Sequence, residues 1–183
     1  MENLEAEELN QILDRVNGWI ENCDSKVSTI LSGMGVFAGI FLASDYVSKF
    51  ASFFQAAHNN ISVANVAYLS VSYFALGLLG YGTYLLISVL FARINPAEFK
   101  DRAVKSDSLL FFASIAGNKK YSNYRTKIKE CSKEQLNEEI ISQIYICSLI
   151  CDKKFTQYKK GLLCSIVGFI VFAIMMIVGV LTF

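Results

Sequence analysis

One proline and one histidine stand in a chain of 183 residues. The lone Pro96 leaves almost the whole chain free to form long helices, because proline lacks an N–H and collides with the preceding turn. The lone His58 removes most histidine chemistry. The sequence has no HExxH, no glycine-rich phosphate loop ending in lysine, and no run spaced as metal ligands. Five cysteines, Cys23, Cys131, Cys147, Cys151 and Cys164, are an odd number without a CxxC pair, which argues against a disulfide framework. Cys147 and Cys151 share a helix face, yet with His58 far away they read as small buried apolar residues. The first residues are acidic and polar, unlike a cleavable leader. A carboxylate pair could be assembled from Asp24 and Asp107, but no spacing selects it. These absences argue against an enzyme, and no catalytic or metal-binding residue is assigned.

What the chain has is hydrophobicity and segregated charge. It is 54% hydrophobic with a mean hydropathy of +0.40, too apolar for an ordinary soluble domain. Residues 1–26 hold two Lys/Arg against seven Asp/Glu, and residues 93–160 hold fourteen against eight. Between and after them lie three runs long enough to cross about 30 Å of hydrocarbon. The first is 27–44, the second lies within 61–92, and the third is 161–183. The third has fourteen Leu, Ile, Val or Phe, worth roughly −6 kcal/mol of insertion free energy. The first has eight, worth about −3 to −4 kcal/mol, and is diluted by small residues. Ser28, Ser32, Gly35 and Gly39 recur at three- or four-residue spacing, so one face of this helix suits close packing or the lining of a pore.

Lysine and arginine set the orientation. Placing 93–160 in the cytoplasm puts 1–26 there too, and only Lys49 of all the basic residues lies outside. The expected fold class is an all-α integral membrane protein with three transmembrane helices. Its cytoplasmic helical bundle would combine the N-terminal helix (1–26) with the 93–160 insert, and 45–60 would form an external loop.

The N-terminal segment carries Leu9, Ile12, Leu13, Val16, Ile20, Cys23 and Val27 in helical register, so one helix is expected to run from an amphipathic start into the first span. Trp19 sits about two turns before that span, where an aromatic anchor belongs. In the insert, "DSLLFFASIAG" reads as a short helix with Asp107 as its cap and Gly117 as its stop. Ser132 and Gln135 have capping-box spacing at the start of a helix whose stripe runs through Leu136, Ile140, Ile144, Cys147 and Cys151 toward the third span. Between these, Lys119, Lys120 and Arg125 alternate with Tyr121 and Tyr124. Cations that hold phosphate beside rings that stack on a base would suit a nucleotide; attraction to anionic lipid, or topology marking alone, explains the same residues.

The stretch "NGWIENCDSKVSTIL" resembles the N-W-x-x-x-x-D-x-K-A-S-x-x-L signature of Pycsar-type transmembrane effectors, with Val27 in place of the usual alanine. "ARINP" looks like that family's Pro-Arg element with the order altered. "SLLFFASIAGNKKYSNY" and "LNEEIISQIYICSLICDKKFTQYKKG" resemble its L-F-F-x-x-I and Q-I-Y-x-x-x-x-I-x-x-K-F stretches. The matched positions are Trp19, Asp24, Lys26, Ser28, Phe111, Phe112, Gln143, Tyr145, Lys154 and Phe155. The resemblance implies a bacterial anti-phage effector of the inner membrane, working beside a nucleotide cyclase or nucleotidyltransferase whose cyclic or oligonucleotide product is its ligand. Homo-oligomers in the lipid bilayer are expected on a physical ground, since three helices enclose no useful pore.

On physical grounds Asp24 and Lys26, with Trp19 nearby, are expected to gate by tying the first helix to the insert. A membrane channel or adaptor subunit gated by a protein partner is the competing reading. The charge pattern makes one direct prediction. A reporter fused after Phe183 is expected to be active only on the outer side; activity confined to the cytoplasm would show that an even number of segments cross.

Overall fold

The computed structural model describes residues 5–91 and 108–183, and among these it is all helix and irregular connection, with no strand. Asp107 and the whole of "ARINP", with Pro96, lie outside the described residues. Six helices follow one another: α1 (Ala6–Ala43), α2 (Tyr46–Asn59), α3 (Val63–Leu90), α4 (Phe112–Gly117), α5 (Tyr121–Glu130) and α6 (Lys133–Thr182). Three of them, α1, α3 and α6, are long and apolar enough to span a membrane. The single long helices expected at the two ends of the chain are both present, of 38 and 50 residues. The expected capping box is present too. Ser132 N donates to Gln135 Oε1 at 3.0 Å, and Gln135 N donates to Ser132 Oγ at 3.2 Å. At that same helix start, its own backbone N–H and the Ser132 side chain hold the Glu134 carboxyl below its usual range.

The described residues fall into two compact units. A polar one draws on Met1–Asn22 and Ala92–Lys154, and an apolar one on Cys23–Phe91 and Phe155–Phe183. Within the apolar unit the burial pattern has a period of three and four. On α3 the covered positions include Tyr68, Ser72, Ala75, Gly82, Leu86 and Val89; on α6 they include Gly161, Ser165, Gly168, Phe172 and Gly179. This is the seam along which α3 and α6 pack. Glycine makes the seam close. A Cβ on Gly82 would lie 2.6 Å from Ser165 N and 2.9 Å from Gly161 O, and one on Gly168 would lie 2.8 Å from Leu79 N. In lipid no hydrophobic force drives helices together, so such backbone approach is a principal source of adhesion.

The connection expected as an external loop at 45–60 is instead largely helical. Val47, Phe50, Phe53, Phe54 and Ala57 repeat at helical spacing, while Ser48, Lys49, Ser52 and Gln55 face out. Phe53 and Ala57 are buried with Tyr68, against Met175 and Met176. The turn into α3 is fixed by Ser62, whose side chain accepts from Asn65 N at 3.2 Å, and by Asn65 Nδ2 donating to Asn60 O at 2.7 Å. A short polar-flanked segment between two spans reads as a loop; its aromatic stripe made it a helix once α3 and α6 supplied a surface to cover.

The glycines therefore divide into two classes. Gly33, Gly35 and Gly39 would place a Cβ in open space. Gly82→Ala is expected to destabilise the protein by about 1–3 kcal/mol through overpacking against backbone. Gly35→Ala should be neutral or slightly stabilising, since alanine is favoured over glycine in a helix by about 1 kcal/mol. Thermal unfolding of both variants in detergent, followed by helical circular dichroism, checks the contrast; equal effects would deny it.

Candidate functional site

Two places carry the residues that the sequence singled out. The first is the entry of α1 into the apolar unit. Cys23 and Val27 are fully buried against Leu86 and Val89, with Ile30, Leu31, Met34, Phe155 and Tyr158 packed around them. Asp24 and Lys26 lie on the same turns, Asp24 half-buried and Lys26 exposed. Trp19, 54% exposed, lies five residues before Asp24 on the same unbroken α1.

Beyond Val27, α1 is held less tightly. A cavity of about 570 Å³ lies among α1, α3 and α6, lined by residues such as Met34, Phe37, Leu79, Ser165 and Phe169. Edge-on ring pairs bridge part of this gap, Phe37 with Phe169 at 4.8 Å and Phe41 with Phe172 at 5.6 Å. Ser28, Ser32, Gly35 and Gly39 are all exposed, with Ser32 Oγ donating to Ser28 O at 2.8 Å. Val36, Ile40 and Leu42 are 65%, 66% and 71% exposed, so the apolar stretch of α1 has little cover from its own chain.

The second place is the polar unit's turn between α4 and α5. Residues 117–120 with Asn123, Thr126 and Lys127 line an open hollow of about 740 Å³. Asn118 closes α4 by donating from Nδ2 to Ser114 O (2.9 Å) and Ile115 O (3.2 Å). Lys119 follows with φ 55°, the left-handed conformation that favours glycine. It is the lone non-glycine residue with positive φ among those described, a cost on the order of 1 kcal/mol that sends the chain sharply into α5. The three lysines of the hollow can hold an anion of phosphate size or larger.

The sequence reading placed five residues here, and the structure brings only Lys119 and Lys120 to the hollow. Tyr121 and Arg125 are exposed one turn apart on another side of α5. Tyr124 is half-buried, and its hydroxyl donates to Leu109 O at 3.0 Å, away from the lining residues. Lys127, a member of the same basic run in the sequence, also lines the hollow; Asn123 and Thr126 went unnoticed, although their spacing from Lys120 along a helix was legible. The polar contacts of Ser108, Glu139 and Gln143 were not legible at all.

No group of three or more metal-ligating side chains occurs among the described residues. Burial pushes the Cys147 thiol up, helped by Cys151, and pushes the Cys151 thiol up as well, so neither is an activated nucleophile.

Long apolar helices joined to a polar helical unit with a cation-lined hollow define a multi-span helical membrane protein. The chain belongs to the Pycsar effector family: the family's model, described as the Pycsar effector protein domain, matches residues 8–181. The chain is also similar to Pycsar effector protein GmPycTM of Gulbenkiania mobilis. The two are 31% identical over 178 residues, 92% of this chain and 90% of that protein. No solved structure matches the chain. It is thus a transmembrane effector of anti-phage defence.

If the hollow is the cation site of a phosphate-bearing ligand, Lys119→Gln with Lys120→Gln is expected to lower affinity for a cyclic mononucleotide about tenfold or more and to flatten its salt dependence. Arg125→Gln should change affinity by less than about threefold. Titration calorimetry on the solubilised chain at two salt concentrations checks both; equal losses from Arg125→Gln would move the site elsewhere on α5.

Proposed function

We propose that the chain oligomerises in the bacterial inner membrane and permeabilises it when it receives a nucleotide signal from a neighbouring cyclase or nucleotidyltransferase, killing or arresting the infected cell. The observation that carries this reading is the uncovered stretch of α1. Its small-residue face, Ser28 to Gly39, is exposed, a Cβ at Gly35 or Gly39 would meet nothing within 4 Å among the described residues, and a marginal span with such a face is best satisfied by the same face of another copy. Several copies then place Ser28 and Ser32 around a common axis, where their hydroxyls can meet water.

The cytoplasmic assignment of the polar unit follows from the concentration of the chain's lysines and arginines there, since acidic residues count little in setting orientation, and it puts the basic hollow on the side where a nucleotide is made. Asp24 and Lys26 sit where α1 is clamped by the Cys23–Val27 cluster, just before the loosely held stretch. Charge at that depth is costly unless paired or hydrated, so a change of surroundings there favours a second position of α1.

Dye entry into cells or liposomes tests the reading. Gly35→Leu and Gly39→Leu are expected to abolish signal-dependent entry while insertion and monomer stability persist, because a Cβ at either position points into open space among the described residues. Asp24→Asn and Lys26→Ala should shift the signal dependence of entry far more than expression or oligomer size. Undiminished leakage from both leucine variants would remove the α1 face from the mechanism.

A further inference from the structure

A polar relay joins α5 to α6 through residues 108–111. The Tyr124 hydroxyl, on α5, donates to Leu109 O at 3.0 Å. The N–H of the same Leu109 donates to Glu139 Oε2, on α6, at 3.2 Å. One residue earlier, Ser108 Oγ accepts from Leu110 N at 3.1 Å, from Phe111 N at 3.2 Å and from Gln143 Nε2, again on α6, at 3.0 Å. Ser108, Glu139 and Gln143 are 4%, 2% and 8% exposed.

A buried carboxylate and a buried amide are an expensive way to hold a turn against a helix, since an apolar staple avoids their desolvation. What they add is geometry. An apolar contact slides, whereas a hydrogen bond weakens steeply as its angle closes or its length grows. A displacement of α5 is therefore either passed to α6 or breaks a bond whose buried partner is left unsatisfied, at about 1–3 kcal/mol. Tyr124 stands on α5 between Asn123 and Lys127, both of which line the basic hollow. A ligand that draws the lysines of the hollow together acts on the same turn that the relay grips.

We propose that Ser108, Glu139 and Gln143 are positioning residues of the signal response: they turn occupancy of the basic hollow into a movement of α6 at its polar end. This rests on the nucleotide reading of the hollow and adds the route by which the bound state is read. α6 continues without a break to Thr182, so a rotation or shift imposed near Glu139 acts on the helix that also forms the third span.

The test uses the full chain in liposomes, with the four common 3′,5′-cyclic mononucleotides as probes, and measures binding by calorimetry and leakage by dye release. Glu139→Leu and Gln143→Leu are expected to keep nucleotide affinity within about threefold of the parent while triggered release falls about tenfold or more, a separation of binding from response. Glu139→Gln, whose amide oxygen still accepts from Leu109 N, should restore release. Where a leucine variant does not fold, Ser108→Ala, which removes one acceptor shared by three donors, carries the same expectation. Affinity and release falling together, or Glu139→Gln failing like Glu139→Leu, would overturn the relay. A parent protein that binds none of the probes, or binds without release, would overturn the nucleotide reading itself and the relay with it.

Discussion

The close approach of α3 and α6 is the constraint on which the apolar unit depends. Lipid tails are as apolar as leucine, so two spans adhere only where their surfaces fit. Gly82 meets Gly161 and Ser165 nearly backbone to backbone, and Gly168 does the same against Ala75 and Leu79. Further along, Gly179 leaves room for the rings of Phe53 and Tyr68, which brings α2 onto the same pair. The hydroxyl of Ser165 is buried in this unit without a hydrogen-bond partner among the described residues. Thr83 and Ser88, by contrast, bond back to their own helix at 2.8 and 2.7 Å. The fit of α3 on α6 thus tolerates a local polar cost in exchange for proximity.

Against that close-packed pair, α1 has less cover beyond Val27. Its Cys23 and Val27 are as well buried as any described residue, and further along ring edges and a cavity lie between it and its neighbours. A helix pinned at one end and loosely held beyond it can occupy two positions for a few kcal/mol. The exposed small face of the same stretch is what a second copy would cover. Both properties follow from one compositional fact, the dilution of the first span by serine and glycine.

The polar unit makes the opposite choice. Its α4–α5 turn is anchored by a connected set of polar side chains, from Tyr124 through Leu109 to Glu139 and from Ser108 to Gln143. Such networks fix one arrangement and resist gradual deformation. The hollow beside them, with Lys119 held in a strained conformation, is positioned by that anchoring.

Periodicity and charge in the sequence were enough for the three apolar spans, the unbroken first and last helices and the S-x-x-Q cap, and short motifs carried the resemblance to the family, because each depends on residues close together in the chain. The helical state of α2 was written there as an aromatic stripe, but it needed a surface to cover. The tertiary structure alone decided which glycines pack and which stay open, since Gly35 and Gly82 look alike in sequence and differ only in what faces them. It also decided that Tyr124 turns its hydroxyl to Leu109 while Lys127 joins Lys119 and Lys120. Partners such as Ser108 and Gln143 lie 35 residues apart, and no local pattern encodes a contact made by the return of the chain.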